Sequence, residues 1–139
     1  MPLLARTYIK AGLVHFAVAL VLGVLVAAQP VFQWSPSVVV LRPVFLHLLI
    51  VGWVTQLIIG VAYWMFPKQS KEQPRGSTRL GWVVFALLNV GLILRAVGEP
   101  LFALQAGSFT GVLLAVSAVF QVLAGWLFIA NTWGRVKER

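Results

Sequence analysis

Apolar residues run along this chain in four long blocks, broken only by short proline-containing or charged interruptions, and no block shows the regular polar face of a soluble amphipathic helix. The blocks predict membrane spans at about residues 10–29, 42–66, 80–104 and 109–133 within a single membrane domain, 1–139. The clearest of them lies in Leu41 to Pro67, LRPVFLHLLIVGWVTQLIIGVAYWMFP. Its 23 residues from Val44 to Phe66 carry no formal charge. At 1.5 Å per residue they cover about 35 Å, against about 30 Å of hydrocarbon. Pro30 and Pro36 are expected to break the chain between the first two spans, with Phe32 and Trp34 in the headgroup layer. Residues 1–10 read as a short tail. Pro100 is expected to kink or end the third span, and Gln105 to Ser108 links it to the fourth. The one clearly solvated loop is 68–79, KQSKEQPRGSTR, whose Pro-Arg-Gly-Ser marks a turn and whose Ser77 or Thr78 can cap the helix that follows. The fold class is therefore all-α, an integral membrane four-helix bundle.

Composition sharpens this picture. With 60% apolar residues and a mean hydropathy of +0.94, the chain has more apolar surface than a soluble core of 139 residues can hide, so its first partner is the lipid bilayer. A net charge of +8 raises the question of nucleic acid, but position answers it. Arg6, Lys10, Lys68, Lys71, Arg75, Arg79, Arg135, Lys137 and Arg139 fall on one side of a four-span topology, and only Arg42 and Arg95 on the other. By the positive-inside rule both termini and loop 68–79 are cytoplasmic, in a multi-pass protein of the inner (plasma) membrane. The absence of cysteine excludes disulfides, iron–sulfur clusters and thiolate ligands.

Candidate chemistry comes from the few polar residues at membrane depth. Counted from the span centres, His47 lies about 10 Å, Arg95 about 5 Å and Glu99 about 10 Å toward the same face, so the three share one layer. His15 lies about 15 Å from His47 along the normal, too far for both rings to ligate one haem iron within a subunit. An arginine at this depth costs about 2.5 to 3.5 kcal/mol and needs a counter-charge. Glu99, one turn on, is one candidate, and a haem propionate is the other. His47 has two readings: hydrogen-bonded to a carbonyl or a neighbouring helix, or facing a flat ring among Phe45, Trp53, Tyr63, Trp64 and the small residues Gly52, Gly60 and Ala62. Gln56, Asn89, Gln121 and Asn131 are expected to hydrogen-bond between helices.

The motif LRPxxxH, with GVAYWMFP after it, resembles the second transmembrane helix of the catalytic subunit of haem–copper oxidases, especially the nitric oxide reductase and cbb-type branch. The resemblance implies a chain equivalent to one of the three four-helix arcs of that subunit. It further implies a homotrimer with a non-covalent haem b at each cleft, ligated by His47 with its propionates toward Arg42 and Arg95. The function implied is electron transfer, or nitric oxide or oxygen binding, with a respiratory-chain partner. When LRP and YWMFP are both matched without gaps, the family's ligand position falls on Phe45, two residues before His47. The alternative is a haem-free membrane assembly or accessory subunit of a respiratory complex. No catalytic residue is assigned under either reading.

Overall fold

The computed structural model describes residues 1–70 and 74–136. Four helices carry the chain: α1 Leu3–Phe32, α2 Pro36–Met65, α3 Thr78–Leu104 and α4 Ser108–Thr132. Each is long and apolar enough to cross a membrane, and among the described residues there is no β-strand. α1 is longer than its apolar block suggests, for two reasons. Residues 3–10 are not a tail: Leu4, Ala5 and Tyr8 are buried against the other helices, which continues α1 almost to the N-terminus. Pro30 does not break α1, because so near the end it removes only one amide donor; the helix runs on to Phe32 and stops at Gln33, whose φ of 47° is left-handed. Pro100 is likewise absorbed inside α3.

Neighbouring helices run antiparallel. At one end, Tyr8 donates its hydroxyl hydrogen to Gly81 O (3.1 Å), and the start of α3 is tied to the end of α4, where Asn131 Nδ2 donates to Ser77 O (3.2 Å) and Ser77 N donates to Asn131 Oδ1 (2.9 Å). The described basic residues Arg6, Lys10, Lys68, Arg75, Arg79 and Arg135 gather toward this end, hereafter the basic end; Lys71, Lys137 and Arg139 lie outside the described residues. The main core, with Leu4, Tyr8, Ile59, Tyr63, Val84 and Ala124, draws on all four helices there. A smaller cluster of Ala19, Val44 and Leu48 sits toward the other end.

Close approach of α1 to α2 rests on missing Cβ atoms. A Cβ at Gly60 would lie 2.9 Å from Tyr8 Cβ and 3.3 Å from Ala5 O, and one at Gly52 would lie 2.8 Å from His15 Cβ. Arg135 is not an exposed topology charge. It is 1% exposed and closes the end of α2, donating from Nη2 to Tyr63 O (3.1 Å) and Phe66 O (2.9 Å) and from Nε to Pro67 O (3.1 Å). These are carbonyls that a helix terminus leaves without amide partners.

Gly60→Val is expected to lower stability by about 1–3 kcal/mol, since both Tyr8 and backbone must give way. Gly125→Ala, inside α4 with nothing within 4 Å of the new methyl, is expected to cost nothing and to gain up to about 1 kcal/mol. Reversible unfolding in mixed micelles measures both.

Candidate functional site

Two polar layers cross the bundle. Nearer the basic end, Gln56 Nε2 donates to His15 Nδ1 (3.0 Å) and to Asn89 Oδ1 (3.1 Å), while Asn89 Nδ2 donates to Gln56 Oε1 (3.3 Å) and to Phe85 O (2.8 Å). Gln56 is 0% exposed. Here a histidine, a glutamine and an asparagine from three helices satisfy one another, as buried amides in hydrocarbon must.

Toward the opposite end the second layer is built around Arg95. Its Nη1 donates to His47 Nε2 (3.1 Å) on α2 and to Glu99 Oε1 (3.4 Å) on its own helix, and its Nε donates to Ser117 Oγ (3.3 Å) on α4. Ser117 is 0% exposed and passes its own proton to Gly91 O (2.8 Å), while Gln121 Nε2 donates to Ser117 Oγ (3.4 Å). One guanidinium thus joins three helices.

The protonation pattern of His47 follows from these partners. A guanidinium can only donate, so Nε2 accepts and the ring proton sits on Nδ1. Nδ1 donates to Pro43 O (2.9 Å), and Glu99 Oε1 lies 3.0 Å from it without forming a second hydrogen bond. The imidazole is neutral in this arrangement, and both nitrogens are engaged. Glu99 Oε2 is the one buried side-chain polar atom left without a partner among the described residues.

Backbone geometry brings the two layers onto the same face of α2. Between His47 and Gln56 the helix widens into a π segment, Leu48–Thr55, in which Thr55 Oγ1 donates to Ile50 O, five residues back, at 3.0 Å. In a plain α-helix nine residues turn by about 180°, which would put His47 and Gln56 on opposite faces. A π turn takes up about one extra residue and reduces the angle to about 80°, so both side chains reach α3. Gly52, within the π segment, leaves the room that His15 occupies.

The structure therefore brings His47, Arg95 and Glu99 together, as their shared depth predicts, and places His15 in the other layer with Gln56. Arg42 stands apart: it is exposed at the start of α2 and makes no hydrogen bond or ion pair with the described residues. Phe45, the position that the gapless match gives to the oxidase ligand, turns to α1; its ring lies over Gly23, where a Cβ would be 2.9 Å from Phe45 Cε2. Ser117 as the anchor of Arg95 was not legible. A lone hydroxyl in mid-span is its only signal, and its partner is set by the α3–α4 packing. The comparisons add no relative: no family model, no curated protein and no solved structure matches the chain.

A haem iron on His47 would have to displace Arg95 from Nε2. His47 Nε2 is taken by Arg95 Nη1, and the cavities at the basic end (about 650 Å³), between α2 and α4 (about 310 Å³) and on α1 (about 290 Å³) are not lined by His47, Arg42 or Arg95. Among the described residues no three histidine, aspartate or glutamate side chains cluster as a metal site.

Arg95→Met is expected to cost about 3 kcal/mol, because it strands the Glu99 carboxylate beside an unpaired imidazole. Adding Glu99→Met should recover part of that loss. Unfolding free energies of the two single variants and the double variant give the coupling directly.

Proposed function

We propose that this chain is a haem-free subunit of the inner (plasma) membrane, an accessory or assembly component that works through helix contacts with respiratory-chain partners. Both termini are on the cytoplasmic side in this reading, because the basic residues gather at that end. The observation that carries the proposal is the state of His47: one nitrogen accepts from Arg95, the other donates to Pro43 O with Glu99 Oε1 3.0 Å away, and no lone pair is left for a metal. The Arg95 layer acts as a lock. It fixes α2 to α3 and α4 in a medium where these polar groups have no other partner, leaving the lipid-facing flanks of the helices for partners.

A second reading, a b-type haem protein ligated by His47 in a homotrimer, has one observation in its favour. The His47 side chain is 31% exposed, so its open edge lies at the surface of the chain where a second copy can meet it. That reading requires Arg95 to leave Nε2 and turn, with Arg42, toward the propionates; electron transfer or nitric oxide or oxygen binding is the corresponding activity.

Protein purified from haem-replete cells is expected to be colourless, with no Soret band in oxidised or reduced spectra. A stoichiometric Soret band that vanishes in His47→Ala and survives in His15→Ala would replace the first reading with the second.

A further inference from the structure

The cavity of about 650 Å³ at the basic end opens where α1, the end of α2 and the start of α3 converge. Its rim is cationic and hydroxylic: Arg75 and Arg79 line it together with Ser77 and Thr78, and among the described residues no acidic side chain does. Neither guanidinium makes a hydrogen bond or ion pair with the described residues, whereas Arg95 and Arg135 each make three hydrogen bonds. Apolar side chains line it as well, Leu4 and Trp82 among them. Trp82 lies one turn inside α3, about 6 Å below the first helical residue, at the depth where indole rings meet headgroups.

The rim is held in place. Gly76 has φ +72°, a left-handed conformation that favours glycine, and a Cβ there would lie 2.7 Å from Asn131 Oδ1. That contact lets Asn131 grip both backbone groups of Ser77, while Gln69 N donates to Pro74 O (3.1 Å) and Tyr63 shares a hydrogen bond with Thr78 (3.2 Å between oxygens). Arg75 and Arg79 are thus carried on a backbone fixed from α2, α3 and α4, not on a loose loop.

We infer that this cavity binds the phosphate of an anionic phospholipid, with the headgroup between Arg75 and Arg79 and the start of its chains over Leu4 and Trp82. Guanidinium groups match phosphate oxygens in charge and in donor geometry. Soluble phosphate shares that chemistry but has no use for an apolar lining at membrane depth. The lipid therefore satisfies both halves of the cavity, and the inference holds whether or not His47 ever meets a haem.

The test is native mass spectrometry of the full chain released from micelles containing phosphatidylglycerol or phosphatidylcholine. Phosphatidylglycerol should be retained and phosphatidylcholine lost. Arg75→Gln and Arg79→Gln should each lower retention about fivefold, and Gly76→Ala, which leaves the charge unchanged, should lower it as well. Arg6→Gln/Lys10→Gln, a loss of two charges on residues that do not line the cavity, should leave retention unchanged, and inorganic phosphate should not displace the lipid. Equal retention of both lipids, or an equal loss in the Arg6/Lys10 variant, overturns the site. Displacement by inorganic phosphate overturns the lipid as its occupant and assigns the pocket to a soluble phosphate compound.

Discussion

A guanidinium in hydrocarbon has no water to turn to, and the opposite half of this bundle is arranged around that constraint. Arg95 carries three hydrogen bonds to three side chains, one from each of α2, α3 and α4. Its insertion penalty, about 2.5 to 3.5 kcal/mol at the helix centre, is offset only if those partners are held within reach. The π segment of α2 serves this end by turning His47 to the face that already carries Gln56. Glycines on α1 and α2, in turn, let those helices approach closely enough for His15 and Gln56 to meet.

Polar closure at the basic end takes a different form. There Arg135 meets backbone carbonyls instead of a carboxylate, and Asn131 clasps the residue that caps α3. The two ends therefore divide the work. Side-chain networks lock the helices to one another in the interior, while main-chain contacts tie the connecting loop and the chain's last helix to the end of α2. What remains unpaired is informative: among the described residues Arg42 at one end, and Arg6, Lys10, Lys68, Arg75 and Arg79 at the other, make no side-chain hydrogen bond or ion pair, and of these Arg75 and Arg79 line a cavity.

Much of this was legible in the sequence. The four spans follow from hydropathy, and the meeting of His47, Arg95 and Glu99 follows from counting residues along straight helices. The role of Ser77 as cap follows from residue type; its side chain accepts from Leu80 N at 3.2 Å. Three features were not legible. A proline near a helix end reads as a breaker when counted by type, yet Pro30 lies inside α1, which runs on to Phe32. The π segment has no sequence signature that a period of 3.6 reveals, so the angle between His47 and Gln56 could not be counted. Arg135 belongs by position to the topology charges, and only tertiary packing shows it buried. The oxidase likeness of LRPxxxH implies an iron ligand, and in this structure that histidine meets Arg95 and a backbone carbonyl, with Glu99 Oε1 3.0 Å away.

The central claim is that His47 is held as a neutral imidazole by Arg95. Nitrogen-15 solid-state NMR of histidine-labelled protein in bilayers reads it most directly, with His15→Asn used to assign the two rings. The account predicts a proton on Nδ1 of His47, a bare Nε2, and an Nε2 in contact with the Arg95 guanidinium nitrogens. A proton on Nε2, or a resonance displaced by a paramagnetic iron, would contradict it.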